Sequence, residues 1–178
     1  MKKIAVVFVI LIGVLISPVG TFAKEVTVQT TKPAVQYLLP YPGVLPDNPL
    51  YILKTLRDRI LDVLIVDQAR KAEFYLLQGD KRLNMGIFLV AQEKGVLAEQ
   101  VVSKGEKYMI QAVSALASVK AGGKEIPGYL MEKIELSLAK HEEELRMLIA
   151  KVNDPVKAGL SGSLDQVVIL RGEVKKLK

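Results

Sequence analysis

One histidine, three consecutive glutamates and two aspartates a helical turn apart are the residues of this chain whose types and spacing could do chemistry. His141 opens the run HEEEL. A zinc-protease helix needs H-E-x-x-H, because only a second histidine one turn on turns both imidazoles toward the same metal, and here that position is Leu145. His141 instead keeps step with Ile134, Leu138, Leu145 and Leu148 at intervals of three and four, which places it on the apolar stripe of a helix. The expectation is an imidazole at the core edge, hydrogen-bonded to a neighbouring helix, in preference to a metal ligand or a pH sensor working from an ordinary pKa near 6.5. Glu142, Glu143 and Glu144 point about 100° apart on a helix and cannot converge on one ion, so they read as a solvated face. Asp58 and Asp62 do share a face and make half of a hard-cation site, but Lys54, Arg57 and Arg59 lie among them and surface ion pairs are the simpler use. Asp58, Asp62 and His141 are therefore the polar candidates, and no catalytic, cofactor-binding or metal-ligating set is assigned. There is no G-x-S-x-G elbow and no G-x-x-x-x-G-K loop, and Ser161 in GLSGS has no base near it in sequence. The expectation is no cofactor and no enzymatic activity.

The elements that must position these residues begin after an export signal. Met1-Lys2-Lys3 precedes an apolar run from Ile4 to Ile16, followed by Ser17-Pro18-Val19-Gly20 and Thr21-Phe22-Ala23. A basic start, a short apolar core, a helix breaker and a small residue describe a secretory signal peptide over 1–23, cut after Ala23. Thirteen apolar residues fall short of the roughly 20 a spanning helix needs. An uncleaved signal is the alternative, and a membrane anchor is expected only in that case. Cleavage leaves 155 residues with 23 basic and 19 acidic side chains, a balance of +4. That length suits one domain with a real core, and interspersed charges of that balance argue against a polyanion partner. No aromatic-plus-basic platform for stacking bases is present, so nucleic acid is not expected. The chain has no cysteine and no tryptophan, which removes thiolate sites, disulfides and the commonest sugar-stacking side chain.

Residues 24–38 are polar and threonine-rich without a helical period and read as a spacer. From Asp47 the pattern runs in threes and fours to the C-terminus, predicting an all-α, up-and-down bundle of about five helices over 39–178. Asp47 or Asn48 is the expected cap of the first helix, with Pro49 at its first position. Leu50, Leu53, Leu56, Ile60 and Leu64 are its expected inward face, and Lys54, Asp58 and Asp62 its outward face. Asp67 caps a second helix to about Lys94, with inward Ala72, Leu76, Gly79, Leu83, Gly86 or Ile87, and Val90. The recurrence of glycines on that stripe, each costing about 1 kcal/mol against alanine, predicts a closely approaching neighbour. A third helix is expected over 96–120, inward at Ala98, Val101, Val102, Gly105, Met109, Ala112, Val113 and Leu116. A fourth runs from about Pro127 to Val152 on the His141 stripe. A fifth follows Asn153 or Asp154 as cap with Pro155 and carries Leu160, Leu164, Val167, Val168, Val174 and Leu177.

The run YPGVLPDNPLYILKTLRD, followed by DQARKAEFYLLQGDKRL and later by KHEEELRMLIAKVNDP, resembles the exported bacterial domains grouped as domain-of-unknown-function family 5667. The resemblance spans Tyr41 to the C-terminal helix. It departs at Gln68, where members often carry proline, and in the glycines of the last helix. It implies a helical fold and an exported location, and it transfers no activity or functional residue.

Tyr41, Pro42 and Tyr51 are the expected interaction surface, because proline-rich segments lie extended and tyrosine suits interfaces; the alternative has Tyr41, Val44 and Leu45 fold back over the bundle end. These features together predict an exported, non-enzymatic structural or protein-interaction module of the cell envelope, in the periplasm, at the cell surface or outside the cell, with an envelope protein or wall polymer as partner. The alternative is a ligand or metal-ion sensor, in which Gly79, Gly86 and Gly105 leave room between helices and Asp58, Asp62 or His141 supply polar contacts.

Overall fold

The structure, a computed structural model, describes residues 34–178; the signal peptide expected over 1–23 and most of the spacer lie outside the described residues. Five helices follow one another with no strand among the described residues: α1 (Tyr51–Leu64), α2 (Gln68–Ala91), α3 (Gly95–Ala121), α4 (Gly128–Ile149) and α5 (Val156–Lys176). Their starts follow local chemistry. The Asp67 carboxylate accepts the Arg70 N–H at 2.9 Å and caps α2. α1 starts a few residues later than the Asp47-Asn48-Pro49 signal suggests. The Asn48 side chain accepts the Leu50 N–H at 2.9 Å, and its carbonyl accepts the Tyr51 N–H, forming a turn before the helix. α3 closes at Gly122-Gly123, where Gly123 takes the left-handed φ of 71° that glycine adopts without steric cost.

Helices α2 to α5 form a four-helix bundle. α2 lies against α3 and α4, and α5 completes the ring against α3 and α4. Connections of a few residues between helices of 21 to 27 residues force successive helices to run in opposite directions. The α3–α4 connection crosses the bundle end, so these two consecutive helices sit on a diagonal of the ring. The apolar stripes of all four helices meet in one cluster that includes Leu76, Leu83, Val102, Met109, Leu138 and Leu160. In α5 the inward set is Leu160, Val167, Leu170 and Val174, while Val168 turns to solvent.

α2 and α3 pack closely along their length, and glycines allow the approach. A Cβ at Gly86 would stand 2.3 Å from Val102 Cγ2, one at Gly79 2.5 Å from Met109 Sδ, and one at Gly105 3.0 Å from Arg82 Cβ. The expectation of a close neighbour, drawn from Gly79 and Gly86, holds at both, and Gly105 meets α2 from the facing side. The alternative expectation, that these glycines leave room for a ligand, is corrected: the facing helix fills the space.

The proline-rich segment is strapped along the bundle. The Val35 N–H donates to Glu143 at 3.3 Å, the Tyr37 hydroxyl to Asp80 at 2.5 Å, and the Asn84 amide to the Pro40 carbonyl at 2.9 Å. Lys94 pairs with Asp47 at 2.5 Å. The spacer expected to extend to residue 38 therefore gives way to packed chain by Val35.

α1 reverses the expected orientation. Asp58 is 3% exposed, whereas Ile52 (72%), Leu53 (63%), Leu56 (54%), Ile60 (52%) and Leu64 (67%) face outward. The physical reason is the surface it lies on. Tyr51 packs beside the small apolar cluster of Met85, Leu89, Ala98 and Val101. The rest of the inner face meets polar groups, with Lys54 donating to the Pro42 carbonyl at 3.3 Å and Asp62 accepting from the Tyr75 hydroxyl at 2.5 Å.

Candidate functional site

Among the described residues, three places carry polar or apolar groups where the general rules of burial would not put them. The first is the middle of the bundle. Asp80 takes a stripe position in α2, four residues after Leu76 and three before Leu83, and Glu106 takes the equivalent position in α3 between Val102 and Met109. His141 reaches between them from α4 and is fully buried, so it lies in the core and not at the core edge. Its Nδ1 is 2.9 Å from Glu106 Oε1 and its Nε2 3.1 Å from Asp80 Oδ1. Burial works against a charge on the ring, but the facing carboxylates of Glu106 and Asp80 outweigh it and raise His141 to about 10. The ring is therefore an imidazolium at neutral pH, and both N–H groups donate.

The two carboxylates are served unequally. Asp80 Oδ1 also accepts from the Ser137 hydroxyl at 2.5 Å, and Oδ2 accepts from Tyr37 at 2.5 Å. Burial and the Asp80 charge push the Tyr37 hydroxyl well above the usual phenol range. Glu106 Oε1 has His141, while its Oε2 is buried without a partner. One imidazole ring thus stands between two buried carboxyl groups in the middle of the bundle.

A second polar seam lies beneath α1. Asp58 Oδ1 accepts from Arg57 Nη2 at 2.7 Å and its Oδ2 has no partner. Arg82 is buried, donates to Gln78 Oε1 at 2.7 Å, and stacks its guanidinium 4.1 Å from the Tyr108 ring centre. Burial, then repulsion from Arg82, lowers Lys54 to about 8.

His141 is not brought together with Asp58 and Asp62: it lies in the bundle core, while the two aspartates stay a turn apart on the inner side of α1, Asp58 paired with Arg57 and Asp62 with Tyr75. Among the described residues no group of three acidic, histidine or cysteine side chains is placed to hold a metal ion. Glu142, Glu143 and Glu144 each stand in an ion pair, with Arg146 and Arg171, with Lys140, and with Lys140 again. They are less solvated than the sequence suggests. Of the expected interaction surface, Pro42 is buried and Tyr51 is half-buried beneath Lys54, leaving Tyr41 in solvent at 78% exposure. Leu45 does fold back, onto the small apolar cluster.

The third place is the outer face of α1. At 100° per residue, Ile52, Val63, Leu56, Ile60, Leu53 and Leu64 occupy one continuous arc, with Arg59 at one edge and Arg57 at the other. Leu50 and Val66 extend it past the helix ends, both more than half exposed. A contiguous apolar surface of this kind on a folded domain marks a contact site. It carries shape and greasy area but no reactive group.

No helix among the described residues is long and apolar enough to cross a membrane. A family model described as "Domain of unknown function (DUF5667)" matches residues 43–155. No curated protein and no solved structure matches the chain.

Proposed function

Because this chain belongs to the DUF5667 family, whose description carries no activity, we propose from the geometry that it is a non-enzymatic protein-interaction module exported to the cell envelope, with α1 as its docking element. The observation that carries this reading is the inversion of α1: its aliphatic arc is turned away from the bundle and its aspartates toward it. Ile52, Leu56, Ile60 and Leu64 recur every four residues, with Leu53 and Val63 beside them, the anchor pattern of a helix laid into an apolar groove. Arg59 is exposed, with no partner among the described residues, and Arg57 is largely exposed while tied to Asp58. The fitting occupant is a partner protein whose apolar groove carries carboxylates along its rims. Pairing two copies of α1 would set arginine against arginine on both flanks of the seam, which disfavours self-association.

The non-enzymatic part is supported by the state of the single histidine: it is buried, charged and held on both nitrogens by carboxylates, so it cannot serve a surface nucleophile as a base. Export is supported by the pattern of residues 1–23.

The test compares the wild-type chain with Leu56→Glu/Ile60→Glu in binding to envelopes from the source cells, to protease-treated envelopes, and to protein-free vesicles of their extracted lipids. The expected result is binding that the double variant loses and protease treatment abolishes. Equal binding to the lipid vesicles would replace the protein partner with a membrane surface. A wild-type dimer dissociated by the double variant would replace it with a second copy.

A further inference from the structure

α1 is attached to the bundle by very little. Of its 14 residues Asp58 alone is buried, and none packs into the main core. No bundle helix runs close along it, whereas α2 and α3 pack closely along their length. Its chief attachments are Tyr51 against the small apolar cluster, Lys54 on the Pro42 carbonyl at 3.3 Å, and Asp62 with Tyr75 at 2.5 Å and Lys71 at 4.0 Å. Burial of Asp58 opposes docking: its Oδ2 is buried without a partner, and release of the helix returns that oxygen to water. A helix of this length standing alone is marginal in water, so α1 depends on these contacts to stay helical.

Both ends of the segment can turn. Gly43 has a left-handed φ of 74° with open space where a Cβ would stand. Ile65 and Val66 make a short non-helical link, with Val66 82% exposed. Beyond these points the chain is fixed, by Asn84 on the Pro40 carbonyl and by the Asp67 cap of α2. We infer that residues 44–64 form a hinged arm that undocks and melts as one unit while α2 to α5 stay folded. Opening breaks the Lys94–Asp47 pair and uncovers Met85, Leu89, Ala98 and Val101 where Leu45 and Tyr51 rest. The main core stays closed, because the arm contributes no residue to it. The consequence is a docking surface that can be switched off: the aliphatic arc is continuous only while α1 is helical, so a partner's apparent affinity is scaled down by the docked fraction. That consequence rests on α1 as the docking element, whereas the opening itself needs no partner.

The test is native-state amide hydrogen exchange of the full chain without any partner, in urea concentrations below the unfolding transition. Amides of 51–64 should exchange at least about 100-fold faster than the buried amides of α2 to α5. They should share one opening equilibrium and respond weakly to urea, because the opening exposes little surface. Tyr51→Ala, which removes the anchor on the small cluster, should speed the α1 amides by about tenfold. Ile134→Val, inside the main core, should speed the core amides by about 2- to 12-fold and leave the α1 amides at their wild-type rates, since docked and open forms share that core. α1 amides that exchange only through global unfolding, that speed up with the core amides in Ile134→Val, or that ignore Tyr51→Ala would overturn the arm. Loss of envelope binding in Leu56→Glu/Ile60→Glu bears on the docking role alone and is read separately.

Discussion

α1 and α4 are both amphipathic helices with aliphatic residues at steps of three and four, and they use that pattern in opposite directions. α4 turns Leu130, Ile134, Leu138, Leu145 and Leu148 into the bundle and admits two polar residues, Ser137, which donates to Asp80, and His141, for which α2 and α3 supply carboxyl groups. α1 turns its aliphatic arc to solvent and buries an aspartate. A period identifies a face and says nothing about which surface the face meets. Four helices already close the ring around the main core, so α1 has only the polar flank of α2 and the small cluster beneath Tyr51 to lie on.

The largest expected effect comes from breaking a polar residue that α4 buries. His141→Leu removes the shared partner of the buried Asp80 and Glu106 carboxyl groups and should cost about 3–5 kcal/mol in denaturant unfolding at pH 7. The same contact sets a pH dependence. His141 binds its proton more tightly folded than unfolded, so its contribution is complete below about pH 6.5 and is lost as pH rises toward about 10. Stability should fall across that window, by up to about 1.4 kcal/mol per pH unit, and the fall should disappear in His141→Leu. Lys54 acts in the opposite sense, since its lowered value makes stability rise from about pH 8 to 10.5. A Lys54→Met background therefore isolates the histidine.

A smaller effect probes the seam that the bundle has and α1 lacks. Gly86→Ala drives a methyl into Val102 and should destabilise by about 1–3 kcal/mol despite alanine's better helix propensity. Smaller still is Lys54→Met alone. Removing a half-buried ammonium beside Arg82 should change stability at pH 7 by about 0.5 kcal/mol or less, read from the urea midpoint. A large loss would show that α1 is held by its polar face more firmly than its contacts indicate.

Much of the bundle is legible in the sequence. The inward residues of α3 and α4 follow from period, as do Ala72, Leu76, Gly79, Leu83 and Gly86 of α2, though not its buried Tyr75, Met85 and Leu89; Asp67 announces its cap, and Gly79 and Gly86 announce the tight α2–α3 seam. Part of the central site was also within reach. Asp80 and Glu106 each interrupt an apolar stripe at a position where Leu or Val would serve, and a charge there signals a buried pair. What the sequence does not reveal is that these positions meet His141 on one level, because α3 and α4 pair across a diagonal that only the ring order creates. The orientation of α1 is hidden for a different reason. Its face is decided by which surface remains after the other helices have closed, a property of the assembled fold and not of residues 51–64.

The claim that α1 is an outward-facing docking helix is tested most directly by Leu56→Ala/Ile60→Ala in equilibrium urea unfolding of the full chain. The account predicts a loss of no more than about 1 kcal/mol for the pair, as for exposed positions. It predicts about 2–5 kcal/mol for Leu138→Ala alone in the bundle. A loss of about 4 kcal/mol or more from the α1 pair would mean that its aliphatic face packs into the protein's own core, and would contradict the account.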